Sequence, residues 1–281
     1  MPELPEVETV KKGLNELVKG CQIRRVEVLY SKMIDNVTAD TFKRALTNKK
    51  ILRIDRRGKY LLFRFNGQIT MVSHLRMEGK YDVETEGAEP GKHTHVIFHL
   101  TDGRELRYND SRKFGRMYLI HNGEEHTLSG LGTLGPEPTS DDLTFSYMKK
   151  IMNKSRGKIK PFLLNQSHIA GLGNIYTDEV LWMSKIHPEQ QTNLISDDKI
   201  KLLRKNIIKE IKEAIKGHGT TVFSYKNAFG ESGSFQNHLH VYHRDGQPCE
   251  RCGTLIKKIR VAQRGTHFCP QCQKVVKVDN D

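Results

Sequence analysis

The run Gly130-Leu131-Gly132-Thr133-Leu134-Gly135-Pro136-Glu137-Pro138 divides this 281-residue chain into two parts with different periodicities. It lies in a polar stretch, 122–142, where glycine and proline interrupt helix and strand alike, so 131–142 reads as a linker. Upstream, the apolar residues come in short runs: Ile23, Val26 and Val28; Ile51, Leu52 and Ile54; Tyr60 to Phe63; Ile69, Met71 and Val72; Val96 to Phe98; Met117, Leu119 and Ile120. Bounded by Gly, Asn and Asp, these runs predict strands, with one short helix at about 39–48. Strands without helices between them make a sandwich or a barrel. Downstream the pattern predicts helices at about 140–153, 160–166, 174–184 and 196–216. In the last, Ile200, Leu203, Ile207 and Ile211 form one apolar stripe.

The chain begins on a further helix, 2–19, striped by Val7, Val10, Leu14 and Leu17 and ended by Gly20. It sets Pro2, Glu3 and Glu6 at a positive helix end. Removal of Met1 ahead of a small residue leaves Pro2 as a free secondary amine. Such an amine can attack a sugar carbon and form a permanently cationic iminium, an electron sink, with Glu3 beside it to move protons. The plainer alternative is that Pro2 and Glu3 only start the helix, for which both residue types are suited.

Formal net charge is +13, from 46 Lys and Arg against 33 Asp and Glu. That excess favours a polyanionic partner, nucleic acid before a membrane surface. No apolar run approaches the roughly 18 residues of a membrane span, and the N-terminus lacks the apolar core of a signal peptide, so a cytoplasmic protein is expected. Cys249-x2-Cys252 and Cys269-x2-Cys272, 16 residues apart, have the spacing of a four-thiolate structural zinc site. Disulfides are the alternative, disfavoured in a reducing compartment. Cys21 reads as a small buried hydrophobe. Between the second and third predicted helices, Gly171 and Gly173 permit a tight turn, Asn174 can cap the next helix, and a helix start fronted by glycine suits phosphate, a plain helical hairpin being the alternative. Residues 218–237 form a long Gly-, Ser- and Thr-rich loop, and a loop of that length inside a compact domain is either functional or disordered. The cysteine module carries Lys257, Lys258, Arg260 and Arg264, placed for phosphate contact.

Six motifs in order along nearly the whole chain resemble the bacterial formamidopyrimidine-DNA glycosylase family. They are Pro2-Glu3-Leu4-Pro5-Glu6-Val7-Glu8-Thr9, Arg56-Arg57-Gly58-Lys59-Tyr60-Leu61, Ser73-His74-Leu75-Arg76-Met77-Glu78-Gly79, Asp110-Ser111-Arg112-Lys113-Phe114-Gly115, Ala170-Gly171-Leu172-Gly173-Asn174-Ile175-Tyr176 and Arg264-Gly265-Thr266-His267-Phe268-Cys269. The resemblance implies an α+β fold. A two-layer β-sandwich with the first helix (1–130) is followed by a helix–two-turn–helix domain (143–237) and a β-hairpin zinc finger (238–274). It implies a monomer acting on double-stranded DNA that carries oxidised purines or abasic sites, with one structural Zn2+. By the same resemblance, Pro2 is the nucleophile and Glu3 the general acid and base. Lys59 and Arg264 serve the elimination steps, and Glu6 positions the terminus. His74, His93, Arg112, Arg156, Lys160 and Asn174 contact DNA. Met77, Arg112 and Phe114 fill the gap left by an everted nucleotide, and Glu78, Thr220, Thr221, Val222 and Tyr225 recognise the lesion.

The chain departs from the family pattern in four places. Arg156 stands where Lys is frequent, His218 precedes Gly219 where a Gly pair is common, Phe223 replaces a basic residue, and His243 stands where Gly is common. Two other functions fit parts of the sequence. An enzyme resembling endonuclease VIII, acting on oxidised pyrimidines, would share Pro2, Glu3 and the zinc module, but that group has Gly where this chain has Leu4. A non-catalytic zinc-ribbon DNA-binding protein would have no use for a terminal proline amine.

Overall fold

The computed structural model describes residues 2–220 and 235–276. These fall into two compact units, 2–132 with 218–220, and 133–217 with 235–276.

The first unit is two antiparallel four-stranded sheets closed over one core. Helix α1 (Leu4–Val18) enters it, followed by β1 (Ile23–Val28), α2 (Ala39–Leu46), β2 (Ile51–Arg57), β3 (Tyr60–Phe65), β4 (Ile69–His74), β5 (Lys80–Thr85), β6 (Thr94–Leu100), β7 (Arg104–Asn109) and β8 (Arg116–His121). One sheet runs β1-β6-β7-β5 and the other β2-β3-β4-β8. Their inner faces supply Val26, Val96, Phe98 and Leu106 from the first and Ile54, Leu61, Phe63 and Met71 from the second. Val7, Val10, Leu14 and Val18 of α1 and Phe42 and Leu46 of α2 complete the same core. The stripe read from sequence is therefore the buried face of α1, and Gly20 ends the helix at φ +87°. Cys21 is half-buried rather than fully enclosed, its sulfur 3.3 Å from an Arg104 Nη2 and 3.5 Å from Asp102 Oδ2.

In the second unit, α3 (Phe145–Asn153), α4 (Ile159–Leu164), α5 (Asn174–Met183) and α6 (Asp197–Lys216) lead to a hairpin of β9 (Lys257–Val261) and β10 (Arg264–Phe268). Helix α5 is the hub. Ile175 through Trp182 are all buried, the behaviour of a helix covered on every side. Helix α6 is amphipathic and buries Ile200, Leu203, Ile207, Ile211 and Ala214. The cysteine module is not a separate body: Trp182, Val241, Cys249, Ile256 and Cys269 share one small core. Residues 218–220 also part from the grouping expected of them, because they belong with the first unit rather than with the helices they follow. Among the described residues no helix is long and apolar enough to cross a membrane.

Candidate functional site

At the start of α1, Pro2, Glu3 and Glu6 are all buried. Glu6 Oε2 accepts the Glu3 N–H at 2.8 Å, satisfying one of the amides that a helix start leaves open. Its other oxygen accepts the Thr220 N–H at 2.8 Å and the Thr220 hydroxyl at 3.2 Å. This is why 218–220 joins the first unit. Gly219 sits at φ +75°, and a Cβ there would stand 2.7 Å from Glu6 Oε1. Glu6 thus ties the terminus to the segment expected to recognise a lesion; Thr221, Val222 and Tyr225 of that segment lie outside the described residues.

Lys59 occupies the two-residue turn between β2 and β3, after Gly58 at φ +54°. The turn is tied back to α1. Glu8 accepts from Arg56 Nε at 2.7 Å, and Arg56 Nη1 donates to the Gly58 carbonyl at 3.0 Å. Glu8 and Arg56 carry no assigned role in the sequence motifs that contain them; an acid in one motif and a base in the other was the available signal. His74, at the end of β4, is buried edge-on against the Tyr60 ring at 4.5 Å. Burial first, then the charges of Arg76 and Lys59, push its imidazole down to about 3, so it is neutral at pH 7. Its Nδ1 accepts the Arg76 N–H at 3.0 Å, which puts its proton on Nε2.

The expected gap-filling residues lie on two loops of this unit. Met77 is half-buried, as is Glu78, whereas Arg112 and Phe114 are exposed. The Arg112 guanidinium lies 4.8 Å from the centre of the Phe114 ring, so an exposed aromatic (49% accessible) is not a core residue. Asp110, buried, shapes the second loop by accepting the Arg112 N–H at 2.9 Å and the Gly115 N–H at 2.8 Å. Both loops close over one buried ring, Tyr108. A Cβ on Gly79 would lie 2.3 Å from the Tyr108 hydroxyl oxygen, and one on Gly115 only 1.7 Å from it. Glycine at both positions lets the two loops share that ring. His93 is exposed, and its carbonyl accepts the Asp110 N–H at 2.9 Å.

In the second unit Arg156 and Arg264 are exposed. Gly173, not Asn174, is the residue that precedes α5, and only Gly171 takes a positive φ, +90°. The Asn174 side chain is free to turn outward from the helix start and donates to the Gly265 carbonyl at 3.0 Å. The glycine turn is instead clamped by Gln166, which accepts the Gly171 N–H at 2.9 Å and donates to the Leu172 carbonyl at 2.8 Å. Lys160 departs from the expectation that it contacts DNA. It is 0% exposed, its ammonium 2.6 Å from Asp178 Oδ1 and 3.0 Å from the Gly265 carbonyl. A charge so enclosed serves a buried pair and not a solvent-facing phosphate.

The four paired cysteines come together at the end of this unit. All four sulfurs lie within 4.8 Å of one another, with Cys252 3.5 Å from Cys269 and 3.4 Å from Cys272. Thiolates about 2.3 Å from one zinc ion stand about 3.8 Å apart in a tetrahedron, so the set fits one zinc ion. The Trp182 indole N–H donates to Cys249 Sγ at 3.4 Å.

Comparison with known proteins agrees with this geometry. Residues 1–117 match the formamidopyrimidine-DNA glycosylase N-terminal domain, 134–225 the H2TH domain of the same glycosylase, and 246–275 a zinc finger found in FPG and IleRS. The formamidopyrimidine-DNA glycosylase of Lactiplantibacillus plantarum is 63% identical over 98% of this chain and 100% of its own length. That of Pediococcus pentosaceus is 61% identical over 97% and 99%. Among solved structures, Lactococcus lactis Fpg bound to DNA containing an abasic site superposes with TM-score 0.92 at 44% identity, covering 97% of this chain and 99% of the other. A variant of that enzyme bound to Fapy-dG-containing DNA gives 0.93 at 44%, covering 97% and 100%.

Proposed function

Because the chain belongs to the formamidopyrimidine-DNA glycosylase family, we propose that it excises oxidised purines from duplex DNA through a covalent adduct on Pro2 and then cuts the strand. The observation that carries this reading is the arrangement at the start of α1. There Glu6 takes the Glu3 amide on one oxygen and Thr220 on the other, holding the terminus beside the expected recognition segment. Once Met1 is removed, the Pro2 nitrogen attacks C1′ of the flipped nucleotide and the base leaves. Glu3 protonates the opening sugar, and loss of the Pro2 proton completes the iminium. The iminium makes the C2′ proton acidic. Its loss expels the 3′ phosphate, and a second elimination expels the 5′ phosphate. Lys59 and Arg264 are assigned to those eliminations as cations that receive the departing phosphate charge.

Met77 and Phe114 replace stacking lost when the nucleotide turns out, and Arg112 hydrogen-bonds the orphaned partner base. His74 donates its Nε2–H as a neutral imidazole, while His93, Arg156 and Asn174 contact the backbone. Cys249, Cys252, Cys269 and Cys272 would hold one zinc ion with four thiolates, and a site so filled would serve structure rather than catalysis.

The test is borohydride trapping on an 8-oxoguanine duplex. Protein with Pro2 at its terminus should form a covalent adduct, and protein retaining Met1 should not. Glu3→Gln should lower excision by about 10²–10⁴-fold with binding retained. Equal trapping by the two termini would refute the mechanism.

A further inference from the structure

The hairpin that carries Arg264 turns through Ala262 at φ +46° and Gln263 at φ +64°. A two-residue turn of this kind asks for positive φ at both positions, which Asn-Gly supplies without strain and Ala-Gln does not. Backbone held this way persists only when its surroundings fix it. Arg264 follows directly, pairing with Val261, and its side chain is exposed. The hairpin is held from below, one residue on.

The Gly265 carbonyl accepts two hydrogen bonds, from Lys160 Nζ and from Asn174 Nδ2, both at 3.0 Å. Lys160 is held in turn by Asp178 Oδ1 at 2.6 Å, neither side chain exposed at all. Asp178 Oδ2 accepts the His267 N–H at 2.8 Å. Asn174 and Asp178 stand four residues apart on α5, one face of one helix. They reach β10 at two alternate residues, Gly265 and His267. Lys160 arrives from α4. Two helices therefore grip the strand on both sides of Thr266, which is buried. An apolar filling of the same volume would pack as well or better. What it lacks is an N–H aimed at one carbonyl.

We propose that Lys160 and Asp178 form a buried positioning unit that fixes the Gly265 carbonyl, and through it the Arg264 guanidinium, for strand cleavage. The inference rests on the elimination role assigned to Arg264. Lys160 and Asp178 touch neither DNA nor the reacting atoms; they act through the backbone of the hairpin.

The experiment compares four proteins on a duplex with a preformed abasic site: the parent, Lys160→Met, the double variant Lys160→Met/Asp178→Leu, and Arg264→Ala. Two rates are read, formation of the borohydride-trapped adduct, which reports Pro2, and strand scission, which reports the eliminations. The double variant removes both charges, so its thermal midpoint should recover what Lys160→Met loses. Scission should stay about tenfold slow in both Lys160 variants, with trapping within twofold of the parent and Arg264→Ala slow in the same step. A merely structural role predicts that the double variant regains scission together with its midpoint, and that result would overturn the proposal. Fast scission by Arg264→Ala would instead remove the reading of Arg264 itself, and the positioning unit would fall with it.

Discussion

Two hairpin turns, one in each unit, adjoin the two basic residues assigned to strand cleavage, and each is fastened through a glycine carbonyl. In the sandwich, Glu8 holds Arg56 and Arg56 holds the Gly58 carbonyl, one residue before Lys59. In the helical unit, Asp178 holds Lys160 and Lys160 holds the Gly265 carbonyl, one residue after Arg264. The difference is depth. The Glu8 and Arg56 side chains each keep 12% of their surface, and Glu8 has a second partner in Lys11 at 2.6 Å. Lys160 and Asp178 keep none. Depth follows the demand of the turn. Gly58 takes positive φ at little steric penalty, so its fastening guides a turn that forms readily. Ala262 and Gln263 take it against their side chains, so theirs must hold a turn that resists.

The comparison is most exposed to a pair of single changes that remove only a charge. Asp178→Asn leaves the Lys160 ammonium buried and unmatched, and should lower stability of the helical unit by about 3–5 kcal/mol. Glu8→Gln leaves Arg56 near the surface, able to reach water, and should lower stability of the sandwich by about 1 kcal/mol or less. Denaturant unfolding followed by amide exchange in each unit separates the two. Equal losses would show that burial does not distinguish the fastenings.

Much of this was legible in the chain, and what was not has physical reasons. The stripes of α1 and α6 and six of the eight sandwich strands declare themselves by apolar runs. Strands β5 and β7 do not. Lys80-Tyr81-Asp82-Val83-Glu84-Thr85 and Arg104-Glu105-Leu106-Arg107-Tyr108-Asn109 each set only two core residues, Tyr81 and Val83 or Leu106 and Tyr108, among charged and polar ones, and such a pattern is diluted by its polar members. β5 is moreover a sheet edge. The family motifs located the ends of α1 and of β10, but not what supports them. Lys160 takes its expected DNA role from the family resemblance alone, which carries no information on burial. Its neighbours Ile159, Phe162 and Leu163 are buried; a lysine among them, with Asp178 lying in an otherwise enclosed helix, was the signal of a buried pair. Asn is a common cap residue, which predicts Asn174 as the cap of α5. The structure gives that place to Gly173, because the amide is engaged across the chain at Gly265.

Paired and unpaired acids should also answer pH with opposite signs. Burial by itself would raise the Glu8 carboxyl, but hydrogen bonds from Lys11 and Arg56 bring it below its ordinary 4.5. Its stabilisation is therefore present above the unfolded value and lost as pH falls through the folded one. Glu210 of α6 is buried with Oε1 lacking a hydrogen-bond partner among the described residues, and burial, then the charges of Glu179 and Glu213, push it up to about 8. The folded chain then holds a proton that the unfolded chain has released, so stability falls as pH rises from 4.5 to about 8 and is level beyond. The loss should be on the order of 2–4 kcal/mol. Glu210→Gln should abolish that slope, and Glu8→Gln should flatten only the acid side. Parallel stability curves for Glu210→Gln and the parent between pH 5 and 9 would contradict this account.

The smallest effect concerns left-handed backbone outside the two turns. His218 takes φ +60° and His243 φ +58°, and both stand where glycine is common in the family. A side chain in that conformation costs roughly 1–2 kcal/mol, while glycine costs about 0.5–1 kcal/mol more entropy on folding. The balance for His218→Gly is a gain of about 0.5 kcal/mol, since the exposed ring has no aromatic neighbour to lose among the described residues. His243 differs: its ring lies 4.6 Å from Tyr242 and 5.5 Å from His267, and removing it sacrifices contacts of similar size to the strain relieved. His243→Gly should therefore be neutral within about 0.5 kcal/mol. Denaturant midpoints at constant slope measure both. The ordering matters more than the sizes. If His243→Gly stabilised the chain and His218→Gly did not, local strain would not be what glycine relieves at these positions, and Ala262 and Gln263 would need no fastening to hold their turn.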